Sequence, residues 1–253
     1  MDDVTHRFDE RVDDYVKWRP DYPDEAVQHV IAALGLTYGS KVADIGSGTG
    51  KLSRPFLESE VNVIGVEPNE PMRRAGDLLL GSFEGFDGVD GKAESTGLEN
   101  QSVDGIIAGQ AFHWFDAKAC SEEWRRILKP GKGISLVWNC RHLEGTPFAE
   151  AYESFLQQWG IDYDEVSEQY EKGDDLKTVL GSSYDQRSFL NRQVLPLEGL
   201  VGRILSCSYM PGQKSANYAE MEGAISEMFH AHSENGRVTV LYDTNVYWNT
   251  RID

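Results

Sequence analysis

The sequence predicts an α/β fold built on an open, mostly parallel sheet with helices on both faces. Three observations carry that expectation. Between residues 41 and 140, short apolar runs alternate with segments of helical spacing, the pattern of βαβ units joined by right-handed crossovers. The first run ends in a glycine-rich turn, Asp44-Ile45-Gly46-Ser47-Gly48-Thr49-Gly50. Near residue 140 the alternation gives way to helical segments and two further strand-like runs.

The elements follow in order. Residues 1–40 read as one or two helices interrupted by Pro20 and Pro23. Pro23-Asp24-Glu25 is a helix start with acids in its first turn, and Ala26, Val27, Val30, Ile31 and Leu34 have helical spacing before a stop at Gly35. Strands are expected at 41–45, 61–66, 89–93, 103–108 and 134–138, with helices at 51–59, 69–80 and 117–128 between them. Pro130-Gly131-Lys132-Gly133 reads as the turn before the fifth strand. Beyond it, 147–180 is helical and acidic from Asp162 to Asp175, 187–197 and 237–248 are strands, and 200–206 and 218–232 are helices. The expected organisation is an N-terminal helical segment (1–40), a parallel α/β core (41–140), a helical cap insertion (141–185), and C-terminal strands and helices completing the sheet (186–253).

Composition narrows the function. The 253 residues carry 42 acidic and 24 basic side chains, a net charge of −18. Such a field repels phosphate backbones, so no nucleic-acid partner is expected. No apolar run is long enough to span a bilayer. Met1-Asp2-Asp3 lacks the pattern of a secretory signal, so the expected compartment is the cytoplasm. Cys120, Cys140 and Cys207 are widely spaced and suggest neither a disulfide framework nor a metal site. Two residues apart on a helix, His230 and His232 point to different faces, which is poor ligand geometry.

The glycine turn points to a nucleoside. Ligands of open α/β sheets bind at the carboxyl ends of the strands. Glu67, 23 residues after Asp44, closes the second strand, where a carboxylate accepts both hydroxyls of a ribose. A dinucleotide fingerprint is G-x-G-x-x-G, but here Lys51 holds the third glycine's place. Asp44 would repel a pyrophosphate, whereas it suits the ammonium of a methionine moiety. The nucleoside expected is therefore S-adenosylmethionine (SAM), with S-adenosylhomocysteine as product.

These residues resemble the class I SAM-dependent methyltransferases, and within them the type 11 small-molecule branch related to trans-aconitate methyltransferase, over roughly residues 8–139. The resemblance implies a Rossmann-like sheet of about seven strands with an antiparallel last strand, flanked by helices and carrying a helical cap. It also implies roles. The turn residues Gly46, Ser47, Gly48 and Gly50 face the methionine part, and Glu67-Pro68 the ribose. Asn69 and Met72 flank the adenine, and Lys92-Ala93-Glu94 forms the loop at its edge; many relatives have Asp at the position of Lys92. Gln110-Ala111-Phe112-His113-Trp114 passes beneath the methionine and faces the acceptor. Tyr15 and Arg19, in the lid segment ending Arg19-Pro20-Asp21-Tyr22-Pro23, lie over the cofactor, and Tyr22, His113 and Trp114 line the acceptor pocket.

Two residues keep two readings. His113 is a general base for the acceptor or, as the favoured reading, a packing histidine. Arg19 reaches the SAM carboxylate or ends a helix at the surface. The expected activity is methyl transfer to a small-molecule acceptor. The alternatives are a SAM-binding regulator without chemistry, a protein methyltransferase and a nucleotide-dependent oxidoreductase.

Overall fold

The computed structural model describes residues 11–163 and 173–252. Seven strands form one sheet: β1 (Lys41–Ile45), β2 (Asn62–Val66), β3 (Phe86–Val89), β4 (Val103–Gly109), β5 (Leu128–Arg141), β6 (Asp185–Leu195) and β7 (Val238–Asn249). Their order is β3-β2-β1-β4-β5-β7-β6. β1 to β5 run parallel, and β7 is antiparallel to both β5 and β6. The reversed strand expected at the chain's end is therefore inserted between two parallel ones. β1 and β4 are neighbours whose connections leave in opposite directions, so a crevice opens beyond their carboxyl ends.

Nine helices are described: α1 (Val12–Trp18), α2 (Asp24–Ala33), α3 (Ser53–Glu58), α4 (Glu70–Leu80), α5 (Ala117–Ile127), α6 (Pro147–Trp159), α7 (Gly173–Leu180), α8 (Leu197–Leu205) and α9 (Tyr218–His232). Side chains fix several starts. Asn69 caps α4 by accepting from Met72 N–H, Asp116 caps α5 through Lys118 and Ala119, and Thr146 caps α6 with Pro147 at the first position. None of these described helices is long and apolar enough to cross a membrane.

Three apolar clusters hold these layers. On one face of the sheet, Trp124 and Ile127 of α5 pack with Leu176, Val179 and Leu180 of α7. On the other, Val27 and Val30 of α2 and Phe56 of α3 pack with Val42 and Val63. The third cluster joins Tyr152 and Leu156 of α6, Leu200 and Ile204 of α8 and Met221 and Ile225 of α9 to Val238, Val240 and Tyr242 of β7. Residues 238–240 pair with β6 alone. The last two strands thus overhang β5 by roughly 10 Å. The overhang carries the third cluster, and α1 packs against α8 within this layer.

The helical stretch expected at 147–180 divides. α6 joins the overhanging layer, whereas α7 sits against α5 in the main core; residues 164–172 lie outside the described part. Two boundaries differ most from expectation. β3 is Phe86–Val89, because Phe86 to Val89 pair with Val63 to Val66 and residues 90–93 turn away, with Lys92 and Ser95 bonding each other. β5 begins at Leu128, opposite Val103, and the ladder resumes at Gly133 opposite Gly105. Lys129-Pro130-Gly131-Lys132 is therefore a wide bulge inside the strand, where the sequence suggests a turn before it.

Candidate functional site

The carboxyl ends of β1, β2 and β4 surround a cavity of about 260 Å³. Its lining includes Gly46, Gly48, Glu67, Pro68, Asn69, Met72, Ala93, Glu94, Gln110, Ala111 and Tyr15 from the expected cofactor residues, and Trp114 from the expected acceptor edge. Lys92, Gly109 and Phe115 complete it.

Asp44 lies behind the glycine turn and is 1% exposed. Its Oδ2 accepts from Ser53 Oγ at 2.6 Å. Its Oδ1 is buried and has no hydrogen-bond partner among the described residues. Burial raises its pKa to about 7, against the Ser53 hydroxyl that lowers it and with the nearby Glu67 charge adding to the rise. A buried acceptor of this kind is costly unless something pairs with it.

The three turn glycines have different reasons to be glycine. All have positive φ, at 68°, 57° and 82° for Gly46, Gly48 and Gly50. A Cβ on Gly46 would meet Ala111 and Phe115, and one on Gly50 would overlap the Leu80 side chain. At Gly48 a Cβ would find nothing nearer than Met72 Cε at 4.0 Å. The first and third are small for packing, and Gly48 borders open space. Gly50 is not among the lining residues, and Ser47 turns to β2, where its Oγ would lie 2.9 Å from a Cβ on Gly65.

Glu67 is 9% exposed and grips the turn. Its Oε2 accepts from Gly48 N–H at 2.9 Å and its Oε1 from Asn69 N–H at 2.8 Å. Burial raises its pKa, while the Asn69 and Gly48 amides and the Arg73 charge hold the rise back. Each oxygen keeps a lone pair for a further donor. Arg73 also donates to the Glu67 carbonyl at 2.8 Å, a link the sequence does not announce.

The loop Lys92-Ala93-Glu94 is held from below. Trp124 Nε1 donates to the Ala93 carbonyl at 3.0 Å, and Glu123 accepts from both the N–H and Oγ1 of Thr96. Glu94 accepts from Asp116 N–H at 3.0 Å. At the end of β4, Gln110 has φ 56°, unusual for a residue with a side chain. Its Oε1 accepts from Asn139 N–H at 2.7 Å.

The remaining candidates cluster nearby. Arg19 donates to the Ser206 carbonyl at 2.8 Å, and its guanidinium lies 5.1 Å from the centre of the Tyr15 ring. It is thus tied to the end of α8. His113 and Tyr22 are not among the cavity's lining residues. Burial, with the Arg19 charge second, pushes the His113 pKa down to about 3, and burial pushes Tyr22 well above its ordinary value. Tyr22 lies beneath Gly109, with its hydroxyl 2.5 Å from where a Cβ would stand. Among the described residues, no group of three or more His, Cys, Asp or Glu side chains could hold a metal ion.

This sheet order, with a glycine turn after β1, an acid after β2 and an aromatic segment after β4, is the Rossmann-like fold of class I methyltransferases. Sequence comparison agrees. Residues 43–136 match the methyltransferase domain family, type 11. An uncharacterized methyltransferase of Mycobacterium tuberculosis is 34% identical over 139 residues, covering 55% of this chain and 54% of that protein. One from Schizosaccharomyces pombe is 31% identical over 156 residues, covering 61% of each. The match thus spans little more than half the length of these curated relatives. Among solved structures, a provisionally named type II methyltransferase from Anaeromyxobacter dehalogenans superposes with a TM-score of 0.67 at 20% identity, over 92% of this chain and 97% of its own. Geranyl diphosphate C-methyltransferase from Streptomyces coelicolor, solved with S-adenosylhomocysteine, gives 0.50 at 11% identity, over 90% and 77%.

Proposed function

We propose that this chain binds SAM in the 260 Å³ cavity and transfers its methyl group to a small-molecule acceptor. The observation that carries the reading is Asp44 Oδ1, a buried carboxylate oxygen without a partner beside a glycine turn open at Gly48. A cationic donor beside it removes the cost of burying that charge. When bound, SAM supplies an electrophilic methyl group on a sulfonium. The chain's own residues then have distinct tasks. Asp44 holds the methionine ammonium, directly or through water. Glu67 accepts the ribose hydroxyls on its unused lone pairs, while its bonds to Gly48 and Asn69 fix its rotamer. Pro68, Asn69, Met72, Ala93 and Glu94 enclose the adenine. Gln110 and Ala111 form the floor, and Trp114 and Phe115 form the wall toward the acceptor.

A histidine with a pKa of about 3 holds a proton too weakly to serve as an effective base near neutrality. We therefore assign His113 to packing behind the cavity rather than to proton transfer. Catalysis then rests on alignment and water exclusion, which suffice for a strong electrophile meeting a nucleophilic acceptor. The acidic charge of −18 disfavours polyanionic acceptors, and the overhanging helical layer favours an enclosed small one. We place this activity in the cytoplasm, in keeping with three free cysteines.

The test combines calorimetry with S-adenosylhomocysteine and transfer of a labelled methyl group from SAM into a cell extract. Label in the fraction below about 1 kDa is expected. Label in protein would replace the acceptor class, binding without transfer would make the chain a regulator, and absence of binding would remove the proposal.

A further inference from the structure

The inward face of β6 breaks its own pattern. Alternate residues of a strand share a face, and here that face reads Phe189, Asn191, Gln193, Leu195. Phe189 and Leu195 are buried, yet the two positions between them carry amides. Their partners are main-chain carbonyls at the end of α1 and in the α1–α2 connection that follows. Gln193 Nε2 donates to Trp18 O at 2.7 Å and Asn191 Nδ2 to Asp21 O at 2.9 Å. This connection contains Pro20 and ends at Pro23, so it cannot satisfy its carbonyls by continuing a helix.

A third amide reaches the same carbonyl from the neighbouring strands. Asn139, 7% exposed near the end of β5, donates through Nδ2 to Asp21 O at 3.3 Å. Its Oδ1 accepts from Thr244 Oγ1 at 2.5 Å and from Asn191 Nδ2 at 3.1 Å. Its main chain brackets the Gln110 amide, donating N–H to Oε1 at 2.7 Å and accepting from Nε2 at 3.5 Å. Asp21 is also held by its carboxylate, which meets Lys51 Nζ at 2.8 Å directly after the glycine turn.

We infer that Asn191, Gln193 and Asn139 form a clasp holding the α1–α2 connection across the carboxyl edge of the sheet. Asn139 is the positioning residue that joins the clasp to Gln110 in the cofactor cavity. The connection follows α1, whose Tyr15 lines that cavity. Releasing its two carbonyls frees the segment that closes the cavity from above. The clasp therefore sets how long a bound nucleoside stays. This rests on the cofactor reading above for its kinetic consequence, but not for the clasp itself.

The experiment uses Asn191→Ala and Gln193→Ala, neither of which lines the cavity, together with Asn139→Ala. Two quantities are read: the dissociation rate of S-adenosylhomocysteine by stopped-flow fluorescence, and hydrogen exchange of the amides in 12–22. Each β6 variant should raise the dissociation rate about tenfold, the scale of one lost hydrogen bond in a partly buried site, and speed exchange in 12–22 while β1 and β4 stay protected. Asn139→Ala should do both and also weaken equilibrium binding. Folded β6 variants with wild-type dissociation and wild-type exchange overturn the clasp. If the wild-type protein binds no S-adenosylhomocysteine, the cofactor reading fails, and exchange in 12–22 alone decides the clasp, with unchanged protection overturning it.

Discussion

Replacing Asp44 by Asn should make the ligand-free protein more stable and the cofactor complex weaker. The carboxyl is 1% exposed, and burial raises its pKa from 3.8 to about 7. A folded-state pKa above the unfolded one means the fold holds the proton more tightly. The ionised group therefore costs stability progressively as pH rises from about 4 to about 7, and the cost is constant above that. The interval corresponds to about 4 kcal/mol at pH 8. Asn removes this cost and can still accept from Ser53, but it leaves an N–H in place of the unpaired Oδ1, worth about 1–3 kcal/mol against it. The variant should thus gain about 1–3 kcal/mol at pH 8 and little or nothing at pH 5. Urea titrations of both proteins at the two pH values read this directly. Calorimetry with S-adenosylhomocysteine reads the other half. Pairing with an ammonium fixes Asp44 in its charged form, so wild-type binding at pH 7 should release about half a proton. The variant should release less and bind at least tenfold more weakly, by the loss of one charge-assisted bond of about 1.5–3 kcal/mol. A variant less stable than wild type at pH 8, or one that binds as tightly, refutes the reasoning.

Glu67→Ala should weaken SAM binding by about 2–3 kcal/mol and abolish the preference for SAM over its 2′-deoxyribose analogue; an unchanged preference would mean that Glu67 does not read the ribose. Gly48→Val should abolish binding in calorimetry, because a branched side chain enters the open space beside the turn and φ is 57°; near wild-type affinity would remove the turn from the site. His113→Asn should leave the pH dependence of kcat/KM above pH 5 unchanged, since the histidine is neutral there. A limb between pH 6 and 7 that vanishes in the variant would restore it as a base.

What the sequence disclosed depended on local grammar. β1, β2 and β4 are buried strands that read as short apolar runs, so Asp44 and Glu67 were identifiable as residues at strand ends. Their consequences were not. Ser53, which holds Asp44, is an ordinary helix-start serine until the turn folds back over β1. The boundary of β3 moved because pairing with β2, not apolar character, decides where it ends: Asp87 and Gly88 lie within it. Pro130-Gly131 looked like a terminator, but a bulge absorbs it inside β5. Residues 147–180 give one helical signal, yet among the described residues α6 and α7 join different clusters, and periodicity cannot say that Leu176, Val179 and Leu180 join the α5 side. The bond from Trp124 to Ala93 O is not legible in the sequence, because it depends on a contact 31 residues away in the chain.

Three unfavourable features lie in or behind one cavity. Asp44 and Glu67 are buried acids whose pKa values are raised mainly by burial, and Gln110 sits at φ 56°. Buried charge and left-handed backbone each cost stability, and folds retain them where binding offsets the cost. The three have different remedies. A cation would offset Asp44, hydroxyl donors would offset Glu67, and a flat group or chain resting on the main chain would offset the backbone at Gln110. A ligand satisfying only one would leave the other two unexplained. An inorganic cation would pair with the carboxylates but not use the left-handed turn, and a dinucleotide would set a pyrophosphate against Asp44. A nucleoside that carries an amino-acid ammonium on its ribose answers all three at once, which is why the arrangement of costs argues more specifically than the glycine turn alone.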